Sequence, residues 1–135
     1  MSEIDSLATV LDGTEAAIYA YGLVAAPLRG AARSRATSAM AGHRAQRDRL
    51  RARIITLGGT PGAAAAAYVP PVAVTDAASA ARLAALVEDR LAGQWAGLAA
   101  ASSAAARSSV ALLAQECAVR GVTWSGTAPV WCGAL

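Results

Sequence analysis

The 135-residue sequence contains no phenylalanine and no lysine, and it has a single histidine and two cysteines. Aromatic residues make up 4% of the chain, although 56% of its residues are hydrophobic. Much of that hydrophobic fraction is alanine, which favours helices and lets them approach one another closely. No segment shows the period-two alternation of a strand. The composition therefore predicts an all-α protein with a core of small side chains.

The sequence also lacks the patterns of several common sites. Cys117 and Cys132 are not spaced as metal ligands, and we expect reduced thiols there. The N-terminal "MSEIDSLATVL" has neither the basic start nor the apolar run of a secretory signal. The most apolar stretch, 16–28, is about half of the roughly 20 residues that span a bilayer. We expect a soluble, cytoplasmic protein with no membrane partner.

Every basic residue is arginine, a bias that fits a GC-rich bacterial genome, and the net charge is +3. Eight arginines lie between positions 29 and 53, with Asp48 as the acid among them. They spread around the predicted helix and no aromatic residue is interleaved with them, as it would be in many nucleic-acid-binding sites. We expect a solvated face and no nucleic-acid partner; the alternative is a platform for RNA or phosphorylated ligands.

Hydrophobic spacing and turn residues divide the chain into four helices. We predict one domain over 1–135, with helices at 1–28, 31–57, 76–101 and 103–120. Residues 58–75 form a crossover loop in which Pro70 and Pro71 prevent a helix, and residues 121–135 form an irregular tail. The expected N-caps are Ser2, Thr75 or Asp76, and Ser102 or Ser103, and the expected last C-cap is Gly121.

Each predicted helix has one stripe of residues that points to the core. On the first helix the stripe is Ile4, Leu7, Leu11, Ile18, Gly22 and Ala25. On the second it is Ala36, Met40, His43, Arg47, Leu50, Ile54 and Leu57. On the third it is Ala84, Glu88, Leu91, Trp95 and Leu98, and on the fourth Leu112, Leu113, Glu116 and Val119.

One ionisable side chain per helix lies near the middle of the predicted bundle. These residues are Glu15, His43, Glu88 and Glu116. Iron and manganese bind carboxylate oxygen with some imidazole, and helical bundles hold such ions with inward side chains. The four residues are therefore candidate metal ligands. The alternative is that His43 is a buried polar group paired with an acid, and that Tyr19, Tyr21 and Cys117 are packing residues.

The segments "EAAIYAYG", "HRAQRDRL" and "VTDAASAARLAALVEDRLAGQW", with the loop after "LGGTP", resemble the actinobacterial alanine-rich ferritin-like domain family of unknown function. The resemblance implies a ferritin-like four-helix bundle with a long crossover between helices two and three. It implies no established activity. Glu15 and Glu88 would match the single glutamates of ferritin-like di-iron proteins, and His43 the histidine of a Glu-x-x-His motif.

Two positions depart from that di-iron pattern. Met40 stands where a bridging glutamate is needed, and Val119 stands where a second histidine belongs. We therefore expect a non-catalytic structural or interaction module with a degenerate di-iron site and no resident cofactor. The alternative is a redox or storage protein that binds iron or manganese through Glu15, His43, Glu88 and Glu116. The small residues on the helix faces predict a homodimer, and the sequence points to no particular small-molecule ligand.

Overall fold

The four predicted helical segments are α-helices in the structure, a computed structural model that describes residues 2–126. They are α1 (Glu3–Ala25), α2 (Gly30–Thr56), α3 (Ala77–Ala101) and α4 (Ala104–Ser125). No strand occurs among these residues. The prediction of an all-α chain is confirmed, and the largest difference is that α4 continues past residue 120 to Ser125.

Side-chain caps define where three of the helices begin. The Asp5 amide donates to Ser2 Oγ at 3.1 Å and the Ser2 amide donates to the Asp5 carboxylate at 3.2 Å, which is a capping box. The Ser79 amide donates to Asp76 Oδ1 at 2.8 Å at the start of α3, and Ser103 caps α4. The predicted Ser2 cap is confirmed, and Asp76 and Ser103 are the caps within the two predicted pairs.

Gly121 was predicted to end the last helix, and this prediction is wrong. The helix ends at Gly126, whose φ of 74° is the left-handed conformation that glycine adopts easily. Gly121 instead lies buried inside α4 against α3. A Cβ atom there would lie 2.5 Å from Asp89 Oδ1, so this glycine permits the close approach of the two helices.

The predicted core stripes of α2 and α3 are found in the structure. On α3, every residue of the stripe is buried: Ala84, Glu88, Leu91, Trp95 and Leu98. On α2, the buried members of the stripe are Ala36, His43, Leu50 and Ile54. These helices carry bulky residues at regular spacing, so the direction of their buried faces was readable from sequence.

The stripe on α1 is correct only in its first half. Leu7 and Leu11 are buried as predicted, but Gly22 is exposed. Ala17 and Tyr21, each one residue earlier than the predicted Ile18 and Gly22, are fully buried. The prediction followed the bulkier isoleucine, whereas the helix buries the neighbouring alanine.

On α4, Leu113 packs against the core as predicted, but the rest of the predicted stripe is one residue out of phase. Leu112 and Val119 are 53% and 64% exposed, and Glu116 is exposed. Cys117 and Gly121 are the buried residues of this helix. The first turns of α4 are alanine and serine, which give little indication of the buried face, so the pattern was anchored on the wrong leucine.

The helices pack in the order α2–α1–α3–α4. Contacts join α1 to α2, α1 to α3, and α3 to α4. Within the described residues, no Cα pair between α2 and α4 lies within 8 Å. The side of the bundle between α2 and α4, which we call the open seam, is therefore spanned only by side chains.

The core consists of two apolar clusters with a polar layer between them. One cluster contains Leu91, Trp95 and Leu98 of α3, and the other contains Leu83 and Ala84 of the same helix. Glu88 lies between these two groups along α3 and is fully buried. The sequence of α3 thus places a carboxylate at the level where the apolar clusters separate.

The predicted crossover between the second and third helices is present over residues 57–76. Tyr68 of the crossover packs against Tyr19 with ring centroids 5.8 Å apart, and the Arg51 guanidinium donates to the Gly62 carbonyl at 2.8 Å. Within residues 2–126, none of the helices has the length and apolar character that a membrane crossing requires. Trp131, Cys132 and the rest of the predicted irregular tail beyond residue 126 lie outside the described residues.

Candidate functional site

Glu88 receives hydrogen bonds from each of the other three helices. Its Oε1 atom accepts from Tyr21 Oη of α1 at 2.6 Å and from Arg120 Nε of α4 at 3.0 Å. His43 Nε2 of α2 lies 2.8 Å from the same oxygen. We call these four residues the Glu88 network. An isolated buried carboxylate is costly, and these donors offset that cost.

Trp124 and Cys117 form hydrogen bonds with two of the residues that bind Glu88. Trp124 Nε1 donates to Tyr21 Oη at 3.0 Å, and Arg120 Nη2 donates to Cys117 Sγ at 3.3 Å. The guanidinium of Arg35 lies 4.8 Å from the ring centroid of Trp124, which is a cation–π contact. The side chains of α4 that reach the network are spaced by three and four residues, which places them on one helix face.

The network keeps Glu88 ionised. Burial acts to raise the pKa of Glu88, but the hydrogen bond and electrostatic attraction of His43, followed by the positive charge of Arg120, outweigh it, so the pKa lies below its ordinary value. Because the carboxylate is an acceptor, His43 Nε2 is the donor in their hydrogen bond. Burial and the charge of Glu88 raise the pKa of Tyr21, which is therefore a neutral phenol.

Cys117 has the properties of a core thiol. It is 1% exposed, and burial followed by the nearby Glu88 charge raises its pKa to about 12. A thiol is a nucleophile only as the thiolate, which these surroundings oppose. The predicted role of Cys117 as a packing residue agrees with this environment.

The structure brings together two of the four candidate metal ligands, His43 and Glu88. Glu15 is half-buried, and the residue of α1 that faces inward beside it is Thr14, which is fully buried and donates to the Val10 carbonyl at 2.7 Å. Glu116 is exposed. Residues 2–126 contain no group of three or more His, Cys, Asp or Glu side chains that is able to hold a metal ion.

The surroundings of Glu88 do not fit a pair of iron ions. Its Oε2 atom is buried with no hydrogen-bond partner among the described residues. The positive guanidinium of Arg120 already lies against the same carboxylate, and a di-iron centre requires several bridging carboxylates. The counter-charge that a metal would supply is provided here by the protein.

Arg120 is the network residue that sequence reasoning missed. Correcting the phase of α4 by one residue replaces Glu116 and Val119 with Cys117 and Arg120 on the inward face. On α2 the inward pair with the same spacing is Met40 and His43. The sequence signal that would have found Arg120 is its spacing of three and four residues from Cys117 and Trp124.

A family model matches residues 6–134 of the chain, and its description is "Domain of unknown function (DUF4439)". The chain belongs to this family. No curated protein matches it. The DUF4439 chain is also similar to a conserved hypothetical protein from Mycobacterium tuberculosis, with 31% identity and a TM-score of 0.86 over 92% of this chain and 95% of that one.

Two more distant structures share the fold. A ferritin-like, diiron-carboxylate protein from Bacillus anthracis has 19% identity and a TM-score of 0.70, covering 92% of this chain and 91% of that one. A dodecameric, bacterioferritin-related thioferritin from Bacteroides fragilis has 20% identity and a TM-score of 0.66, covering 92% and 80%. The predicted ferritin-like four-helix bundle is confirmed.

Proposed function

We propose that this protein is a non-catalytic structural or interaction module that uses the ferritin-like bundle without a di-iron centre. The observation that supports the proposal is the geometry at Glu88, whose Oε1 is bound by Tyr21, His43 and Arg120. A buried carboxylate neutralised by an arginine has little remaining attraction for a divalent cation. The network then joins the helices, including α2 and α4, which have no direct backbone contact.

The test is the metal content of the protein, produced without a His-tag in medium supplemented with iron and manganese. We expect elemental mass spectrometry to find far less than one metal ion per chain. The informative companion is a triple variant, Met40→Glu, Cys117→Glu and Arg120→His, which restores a Glu-x-x-His pair on both α2 and α4. Metal uptake by that variant and none by the wild-type chain would show that the natural residues Met40, Cys117 and Arg120 prevent metal binding.

The second candidate is the redox or storage protein expected from the sequence; of its predicted ligands Glu15, His43, Glu88 and Glu116, the two that lie together, His43 and Glu88, would bind a single iron or manganese ion. The buried, unpartnered Oε2 of Glu88 is the observation that favours it. Under this alternative, His43→Ala abolishes metal uptake and leaves the chain folded. Under the favoured proposal, the same change lowers the melting temperature and has no effect on metal content.

We also propose a cytoplasmic homodimer of actinobacterial origin. Leu112 and Val119 lie seven residues apart on the outward face of α4 and are 53% and 64% exposed, and a second copy would bury them. We expect light scattering at micromolar concentration to give the mass of two chains. Val119→Asp should shift the mass toward one chain, whereas Val69→Asp on the crossover should not. A monomeric wild-type chain would contradict the dimer.

A further inference from the structure

A groove follows the open seam near the C-terminal end of α2 and the N-terminal end of α4. It has a volume of 620 Å3 and is lined by residues of all four helices. Its floor includes Leu50, Trp95 and Leu98, which belong to the apolar core. Val110 and Leu113 of α4, half-buried, line it from the other side. The gap between α2 and α4 thus leads from solvent to the core.

The charge of the groove lies on its α2 rim. Arg53 lines the groove and is paired with Glu3, the one acid of the lining, through a contact of 3.1 Å. Arg49 also lines the groove, is exposed, and has no ion pair among residues 2–126. The α4 residues that line the groove carry no charge: Ala106 and Ser109 lie beside the half-buried Val110 and Leu113. An occupant therefore meets an apolar floor and an unpaired cation on one side.

We propose that this groove binds a small anionic amphiphile, a molecule with one carboxylate and an apolar chain or ring. The apolar part would pack against the half-buried Val110 and Leu113, above Trp95 and Leu98, which are each 4% exposed. The carboxylate would pair with Arg49, whose guanidinium matches carboxylate geometry. The volume lies within the range of about 300–1,000 Å3 that is typical of small-molecule sites. An acidic helix of another protein is the competing occupant, and the experiment below separates the two. This inference is independent of the role proposed for the Glu88 network.

The test uses two probes with the same eight-carbon chain: octanoate and octan-1-ol. Binding to the full-length chain is followed by NMR through the indole N–H signals of Trp95 and Trp124. Trp95 lies in the groove floor, whereas Trp124 lines a separate pocket with Arg35 and Arg120. We expect octanoate to shift the Trp95 signal and leave the Trp124 signal in place. Octan-1-ol should bind roughly fivefold more weakly, the factor expected for one exposed ion pair.

Two variant pairs locate the site. Arg49→Ala should weaken octanoate binding roughly fivefold and leave octan-1-ol binding unchanged, whereas Arg44→Ala, an exposed arginine outside the groove, should change neither. Ala106→Trp should fill the groove and abolish binding, while Ala105→Trp, on the neighbouring exposed position of α4, should not. Both alanines are exposed, so the fold tolerates the larger side chain.

Three results would overturn the proposal. The first is no shift of the Trp95 signal at millimolar octanoate, which would favour a protein helix as the occupant. The second is an equal shift of the Trp95 and Trp124 signals, which would indicate non-specific binding. The third is equal affinity of wild type and Arg49→Ala for octanoate, which would show that Arg49 does not pair with the carboxylate and that the groove is an unselective apolar surface.

Discussion

Helix α4 is held on its two sides by different means. Against α3 it packs directly, and Gly121 is close enough to Asp89 that a Cβ atom would collide with the carboxylate. Toward α2 there is no backbone approach, and the connection runs through His43, Glu88 and Arg120. The contact with α3 leaves no room for a larger side chain at Gly121, whereas the connection to α2 requires particular polar side chains. The same helix is therefore sensitive to size on one side and to charge on the other.

The largest expected effect comes from breaking the polar connection. Glu88→Ala removes the shared acceptor and leaves the buried donors of Tyr21 and His43, and the charge of Arg120, without a partner. We expect a loss of roughly 3–5 kcal/mol in the free energy of unfolding, measured by urea denaturation. Asp89→Ala, at the exposed position beside it, should change stability by no more than about 0.5 kcal/mol. Equal losses in the two variants would mean that the network contributes nothing specific.

The packed side should respond to added volume. Gly121→Leu places a long side chain between α4 and α3, where Asp89 and the Ala85 carbonyl already lie close, and we expect a loss of about 1–3 kcal/mol. The matched change is Gly42→Leu on the exposed face of α2, where nothing apart from the adjoining helix backbone and chain neighbours lies within 4 Å of a Cβ. That variant should be slightly more stable, because leucine favours a helix more than glycine does. Both midpoints are measured by urea denaturation, and a stable Gly121→Leu variant would show that the α3–α4 approach is adjustable.

The smallest effect is expected from pH. Because the folded pKa of Glu88 lies below its ordinary value of 4.5, its ionisation stabilises the fold above that value. This stabilisation is lost as the pH falls through the lower folded pKa. Urea midpoints measured from neutral pH down into this acidic range should fall more steeply for wild type than for Glu88→Gln. Parallel curves would show that the charge of Glu88 does not contribute to stability.

The parts of the fold that sequence reasoning predicted correctly are those with bulky side chains at regular spacing. On α3, Leu91, Trp95 and Leu98 established the buried face and so placed Glu88 in the core. On α2 the same kind of pattern placed His43. The long crossover also followed, because proline and glycine interrupt the helices at clear positions, whereas the ferritin-like packing was implied by the family resemblance.

The buried face of a helix was predicted wrongly where its inward positions hold small residues, because these give little hydrophobic contrast with the exposed positions. On α1, alanine and threonine occupy the inward positions, so Glu15 was assigned to a face that Thr14 occupies. On α4, the alanine and serine residues of the first turns do not indicate which face is buried, and Glu116 was predicted to face inward in place of Cys117. A one-residue error rotates a helix by about 100°, enough to exchange an exposed carboxylate for a buried thiol. Arg120 was missed because an arginine is rarely expected at a core position.

The meeting of three donors on a single oxygen of Glu88 has an evolutionary consequence. Tyr21, His43 and Arg120 compensate the same charge, so the effect of replacing one of them depends on which others are present. Substitutions at these positions should be non-additive, and a lineage that loses one donor should soon accept changes at the others or at Glu88 itself. We therefore expect the four positions to vary together among related sequences, as one inherited unit.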